Sequence, residues 1–126
     1  DAVAFHQGSA TLGRWSRETV RRLSRPQIFL LARHFPKGWI RRHGWHVLIG
    51  QGLWGLIALR HGAAGAWLLG KWEGLRRYRG LRQAAGTQGI DRILSEGEDA
   101  IRDLARNFGL GPYWRLYFAL TGSGER

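Results

Sequence analysis

GWIRRHGWHVLIGQGLWGLIALRHGAAGAWLLGKWEGLRRYRG, residues 38–80, is the stretch that decides the fold of this chain. It contains five of the seven tryptophans and two apolar runs. The first run, residues 47–59, has 13 residues, whereas a helix that spans a bilayer needs about 20. Joining the two runs into one span would place Arg60 near the middle of the membrane, at a cost of roughly 2.5–3.5 kcal/mol. A single transmembrane helix is therefore disfavoured.

The same stretch is better interpreted as a helical hairpin. We predict helices over residues 38–60 and 63–79, joined by a turn at residues 61–62, His-Gly. Gly70 and Gly74 have the four-residue spacing of small side chains that lets two helices approach closely.

Charge is distributed unevenly along the chain. The net charge is +11, and residues 14–82 contain 15 Lys or Arg against only Glu18 and Glu73. Residues 83–126 contain 5 Arg against 6 acidic residues, so this part is nearly neutral. A basic region that is also rich in Trp indicates an anionic partner, either anionic lipid or nucleic acid. The absence of Cys excludes disulfides and Cys-based metal sites.

The N-terminal flank predicts a strand, a loop and a helix. Residues 2–6 have the apolar character of a short strand, and residues 7–13 are rich in Gly, Ser and Thr. Ser16 is a candidate N-cap for a helix that extends towards Phe35. Pro26 lies inside this helix, so we expect a kink or a break there. Because the chain opens within the apparent strand and without Met, we expect it to be part of a longer protein.

The C-terminal flank predicts two further helices. Residues 90–108 follow a three-to-four spacing of apolar residues, and Gly109 is a good C-terminal stop. A short aromatic helix can begin at Pro112, and its apolar side chains must dock on something. The predicted fold is thus mainly α. Its four parts are the strand and loop at 1–15, a basic apolar helical region at 16–82, a linker at 83–89, and the two C-terminal helices at 90–126.

A motif near the N-terminus carries a family resemblance. Val3-x-Phe5-His6-x-Gly8-Ser9-x-Thr11-x-Gly13-Arg14 resembles the end of the catalytic domain of bacterial glycosyltransferase family 2 enzymes. Residues 22–36 are similar to the helix that follows in such enzymes, although the family's Arg-Asn is Arg-Pro here. Gly70-Lys-Trp-Glu-Gly-Leu-Arg76 and residues 113–118 are similar to later segments. The resemblance covers the chain only as the C-terminal part of such an enzyme.

The resemblance implies a GT-A fold and transfer of a sugar from a nucleotide-diphosphate donor. Mg²⁺ or Mn²⁺ would offset the diphosphate charge, held mainly by an Asp-x-Asp motif upstream of this chain. By the resemblance, His6 would complete the coordination of the metal. Ser9, Thr11 and Arg14 would lie on the loop over the diphosphate. With the Asp-x-Asp and the catalytic base upstream, we expect this chain alone to be inactive.

Three hypotheses stay open for the helical region. In the first, it binds the anionic cytoplasmic face of the bacterial inner membrane, as a peripheral or monotopic anchor near a lipid-linked or cell-surface glycan acceptor. The membrane-binding residues would be Trp39, Arg41, Arg42, Trp45, Trp67, Lys71, Trp72, Arg76, Arg77 and Arg79. In the second, the chain is a non-enzymatic module that binds nucleic acid, although its basic residues flank apolar runs and form no single polar face. In the third, the apolar hairpin is a core or an oligomer interface and needs no lipid.

His43 and His46 are three residues apart on a predicted helix and are the one pair that could share a metal. No carboxylate or Cys lies close to them in sequence, and Arg41 and Arg42 would repel a dication. The spacing alone therefore makes a weak metal site.

Overall fold

The computed structural model describes residues 13–83 and 86–122, and in this part of the chain all regular structure is helical. The mainly α fold is therefore confirmed. The predicted strand at 2–6 lies outside the described residues. The helices are α1 (Arg17–His34), α2 (Trp39–Arg60), α3 (Ala64–Leu81), α4 (Ile90–Phe108) and α5 (Pro112–Thr121).

Helix α1 begins at the predicted cap and runs without interruption through its proline. The Oγ of Ser16 accepts a hydrogen bond from the backbone N–H of Thr19 at 3.2 Å. Of the kink or break predicted at Pro26, the break is wrong, and the kink stays a prediction. Pro26 is exposed, while the buried face of α1 continues on both sides of it. That face consists of Val20, Ser24, Ile28 and Ala32, four residues apart. Burial of this face stabilises the helix and offsets the loss of the backbone hydrogen bond that proline cannot donate.

Gly70 and Gly74 bring α3 into close contact with α1. A Cβ added at Gly70 would lie 2.6 Å from the carbonyl oxygen of Arg21, and one added at Gly74 would lie 2.7 Å from Cβ of Ile28. Real Cβ atoms do not approach other atoms this closely, so the two backbones meet at these glycines. The predicted role of this spacing in close helix approach is confirmed.

The hairpin turn lies where the sequence predicts it, but α3 has a different main partner. Helix α2 ends at Arg60, and Gly62 adopts a positive φ of 69° before α3 begins. Helix α3 then packs most extensively along α1, and its contact with α2 is smaller. The glycine groove of α3 faces α1, which explains this preference.

A small apolar core forms where α1, α2 and α3 meet beside the turn. Its fully buried members are Val20, Ala58 and Ala63, and Trp15, Trp54, Ala66 and Trp67 pack around them. The ring of Trp15 stacks on that of His61, with centroids 4.5 Å apart. His61 is thus a turn residue covered by an aromatic ring from the start of the chain.

The predicted linker at residues 83–89 is bonded to the end of α1. The backbone N–H of Gln83 donates to the carbonyl oxygen of Ala32 at 3.1 Å, and that of Thr87 donates to the carbonyl oxygen of His34 at 2.7 Å. These bonds satisfy carbonyl groups that have no partner within the last turn of a helix. The segment therefore caps α1 in addition to connecting α3 to α4.

Helix α5 docks on α2, as its aromatic character predicts. The hydroxyl of Tyr113 donates to the carbonyl oxygen of Gly50 at 3.1 Å, and the indole N–H of Trp45 donates to the carbonyl oxygen of Leu120 at 3.1 Å. Phe118 is buried, and the guanidinium of Arg102 lies 5.1 Å from the centre of its ring.

Helix α4 has the predicted bounds, but its apolar face is largely uncovered. No residue of α4 is buried within the described part of the chain. Leu104 is 60% exposed and Phe108 is 84% exposed. Helix α4 contacts α2 through the indole N–H of Trp39, which donates to Oδ1 of Asp91 at 2.6 Å.

Candidate functional site

The outer face of α2 is an exposed apolar row with basic residues at its ends. Trp45, Leu48, Leu56 and Leu59 are each 60–66% exposed. Their spacing places them on one side of the helix. Arg41 and Arg42 are exposed near the N-terminus of α2, and Arg60 is exposed at its C-terminus. We call Arg41, Trp45, Leu48, Leu56 and Leu59 the outer face of α2.

A second exposed row runs along α3. Leu68, Trp72 and Leu75 are 54–60% exposed, and Arg79 continues the row at the next turn. These four residues, the outer face of α3, follow the helical spacing of one face. They lie on the side of α3 away from Gly70 and Gly74, because helical periodicity separates the two sets. Helix α3 therefore packs through small residues and exposes large ones.

The structure corrects two of the predicted membrane-binding residues. Trp39 is 7% exposed and Lys71 is 9% exposed, so both belong to the protein interior. Trp67 is half-buried, and its ring would lie 3.1 Å from a Cβ added at Gly55 of α2. The other predicted residues are exposed: Arg41, Arg42, Trp45, Trp72, Arg76, Arg77 and Arg79. The sequence around Lys71 is apolar, which is as consistent with burial as with a membrane surface. The positive charge of Lys71 alone therefore led to the wrong prediction.

Lys71 joins three helices through its ammonium group. Its Nζ donates to the side-chain carbonyl oxygens of Gln27 on α1 and Gln51 on α2, and lies 3.3 Å from the carbonyl oxygen of Ser24. All three acceptors are neutral. Burial lowers the pKa of Lys71 from 10.5 to about 8, because desolvation penalises the charged ammonium. Gln51 is polar within an otherwise apolar run, and this position is a sequence signal for a buried polar partner of Lys71. The signal is weaker than the charge pattern, which favours a membrane surface.

A cluster of four arginines lies at the α1–α3 groove around one carboxylate. The cluster consists of Arg21 and Arg25 of α1, and Arg76 and Arg77 of α3, with Glu73 among them. The Nε of Arg21 donates to Oε1 of Glu73 at 2.9 Å, and this hydrogen bond lowers the pKa of Glu73 and raises that of Arg21. Sequence reasoning did not bring these residues together, because it paired α3 with α2. We call this group the arginine cluster.

The residues implied by the family resemblance fall mostly outside the described part of the chain. His6, Ser9 and Thr11 lie outside it. Arg14 is exposed in the turn before α1, next to Gly13, whose carbonyl oxygen accepts from the hydroxyl of Thr19 at 2.9 Å. The guanidinium of Arg14 is accessible, and its diphosphate role stays a prediction.

His43 and His46 line a cavity between α2 and α4. Their ring centroids are 6.5 Å apart, and Asp91, Glu98 and Asp99 line the same cavity. Within residues 13–83 and 86–122, no three His, Cys, Asp or Glu side chains are grouped closely enough to hold a metal ion.

Comparisons of this chain with protein-family models, with curated proteins and with solved structures return no match. Among the helices that the structure describes, none combines the length and apolar character needed to cross a bilayer.

Proposed function

We propose that α2 and α3 bind the surface of an anionic membrane through their outer faces. The observation that carries this proposal is the exposure of large apolar side chains in two helical rows bordered by arginines. Trp45 is 61% exposed and Trp72 is 60% exposed, and exposed Leu residues lie beside each of them on the same helix face. Contiguous exposed apolar side chains of this kind are typical of surfaces that bind a membrane or another protein.

The positive charge beside the apolar rows favours an anionic lipid surface as the binding partner. Arg41, Arg42, Arg76 and Arg79 are exposed next to the apolar rows, and each basic residue near an anionic leaflet contributes about 1 kcal/mol of attraction. Tryptophan has an apolar ring and a polar N–H, which suits it to the headgroup region. The N–H of Trp45 donates to a backbone carbonyl oxygen of α5, so Trp45 offers the exposed part of its ring. The restriction of the large exposed apolar side chains to one row on each helix suits lateral attachment, with the apolar faces entering one leaflet.

Within this proposal, the chain is the C-terminal platform of a glycosyltransferase. Residues 3–14, which resemble the end of a family 2 catalytic domain, would supply His6 to a Mg²⁺ or Mn²⁺ site and Ser9, Thr11 and Arg14 to the donor diphosphate. The membrane-bound helices would then hold that domain near a lipid-linked or cell-surface glycan acceptor on the cytoplasmic face of the inner membrane. This part of the proposal is supported by the sequence motif alone.

Vesicle flotation tests the membrane proposal directly. The full chain should float with vesicles that contain anionic lipid at low salt, and binding should weaken at high salt because exposed charges are screened. No flotation at low salt would refute it. A salt-dependent shift of DNA or RNA together with no lipid binding would favour the nucleic-acid alternative.

The catalytic proposal has its own test. The codons directly upstream of Asp1 should encode an Asp-x-Asp motif, and an expressed chain that includes it should transfer sugar in the presence of Mg²⁺ or Mn²⁺. In that chain, His6→Ala should reduce activity and weaken the metal dependence. Unchanged kinetics across a metal titration would assign His6 to structure.

A further inference from the structure

The arginine cluster is more positive than its internal ion pairs require. Arg21, Arg25, Arg76 and Arg77 surround the single carboxylate of Glu73, and together they line an open cavity of about 530 Å³. Arg21 hydrogen-bonds Glu73, and the closest contact of Arg25 with it is 3.8 Å. One negative charge thus faces four positive charges.

Two guanidinium groups of the cluster have no acid of their own. Within the described residues, Arg76 and Arg77 form no ion pair, and both are exposed at the cavity. The Nε of Arg25 is buried and has no hydrogen-bond partner, although a buried N–H donor normally has one. Oε2 of Glu73 is an acceptor that is also buried without a hydrogen bond, and the guanidinium of Arg25 lies 3.8 Å from it. The site therefore has unused donors and excess positive charge.

These features fit a ligand with several anionic oxygens close together. The planar guanidinium donates two parallel N–H groups, which match the oxygens of a phosphate group. Glu73 engages Arg21 by a hydrogen bond and Arg25 by the 3.8 Å contact, so the carboxylate holds these two arginines while Arg76 and Arg77 keep their N–H groups for a ligand. A carboxylate ligand would carry one charge, whereas a phosphate monoester or diphosphate carries about two or more.

We propose that the arginine cluster binds a phosphate monoester or diphosphate group. The group is either free in solution or carried by a lipid headgroup, and the lipid-borne form rests on the membrane binding proposed above. The site lies in the groove between α1 and α3, and its Arg76 is exposed next to the outer face of α3. A headgroup phosphate bound there would lie beside the apolar row and would add selectivity to the general attraction of the chain for anionic lipid.

Titration with inorganic pyrophosphate tests the site without any membrane. The full chain should bind pyrophosphate, and Arg76→Gln combined with Arg77→Gln should weaken binding on the order of tenfold or more, because two charge-assisted contacts are removed. The matched control is Arg41→Gln combined with Arg42→Gln, which removes the same charge from α2 and should leave affinity within about twofold. All four arginines are exposed, so circular dichroism should show unchanged helix content. Equal losses in both variants, or no pyrophosphate binding by the full chain, would overturn the proposal.

Vesicles separate the two sources of phosphate. Vesicles of phosphatidylcholine with phosphatidic acid should bind more tightly than vesicles of equal surface potential with phosphatidylserine, and Arg76→Gln with Arg77→Gln should remove the difference. Equal binding to both, in a chain that binds pyrophosphate, would restrict the site to soluble phosphates and overturn the lipid-borne form. Pyrophosphate binding without vesicle binding would refute the membrane proposal while supporting the phosphate site.

Discussion

Helices α1 and α3 cover each other's faces, whereas α4 leaves its apolar face in solvent. In the α1–α3 contact, Gly70 and Gly74 of α3, which have no side chain, lie against Ser24 and Ile28 of the buried face of α1. Helix α4 has the clearest amphipathic pattern of the chain, yet Leu104 and Phe108 are 60% and 84% exposed. An apolar pattern thus shows where a face lies, and small residues show where two helices meet.

The same contrast exists within α3. One side packs through glycines on α1, and the opposite side exposes Trp72 and its leucine neighbours. Since the side chains of the second side are more than half exposed, they can be changed with little effect on the fold. Stability and surface binding can therefore be tested separately.

The largest expected effect on stability comes from filling the α1–α3 contact. Gly70→Ala and Gly74→Ala should each lower the free energy of unfolding by about 1–3 kcal/mol, because the new methyl group overlaps α1 and forces the helices apart. The measurement is urea denaturation followed by circular dichroism.

Gly52→Ala is the matched control for these substitutions. Gly52 lies in the middle of α2, and a Cβ added there meets no atom within 4 Å. Because Ala has the higher helix propensity, this change should raise the free energy of unfolding by about 0.5–1 kcal/mol. Stabilisation by all three substitutions would show that α1 and α3 do not meet at the glycines.

A smaller effect on the free energy of unfolding is expected from titration of the buried ammonium group of Lys71. In the unfolded chain Lys71 keeps its proton up to pH 10.5, whereas the folded protein releases it near pH 8. Between these values the unfolded state binds more protons, so the free energy of unfolding rises with pH. From pH 8 to roughly 9.5 the rise should be about 1–2 kcal/mol.

Lys71→Met should abolish that rise, because it removes the titrating group and keeps the length of the side chain. Denaturation at a series of pH values measures it. The window ends below 10.0 because Tyr113 and Tyr117, whose pKa values are raised by burial, act with the opposite sign above that value. An unchanged rise in the variant would mean that Lys71 is not the group responsible.

The smallest effect on stability is expected on α4. Phe108→Ser should change the free energy of unfolding by no more than about 0.5 kcal/mol, because the side chain is 84% exposed. Thermal denaturation measures it. A loss of stability as large as that for Gly74→Ala would show that the apolar face of α4 is covered in solution and does not differ from the α1–α3 contact in this respect.

The sequence was sufficient for most helix bounds and insufficient for helix pairing. Ser16, Gly109 and Pro112 are local signals that act within one turn, so the ends they predict are found in the structure. The partner of α3 depends on which of two faces packs, and this is a property of the whole fold. The burial of Lys71 and the assembly of the arginine cluster follow from that pairing and could not be predicted without it. The roles proposed for His6, Ser9 and Thr11 stay predictions.

Vesicle binding by the exposed tryptophans is the most direct test of membrane attachment. Trp45→Ser combined with Trp72→Ser should reduce partitioning onto anionic vesicles on the order of tenfold or more, because two large apolar side chains no longer enter the interface. Leu104→Ser combined with Phe108→Ser removes comparably exposed residues from α4, whose polar face is rich in acids, and should leave partitioning nearly unchanged. Equal partitioning of the wild-type chain and the tryptophan variant, or a loss confined to the α4 variant, would contradict the account.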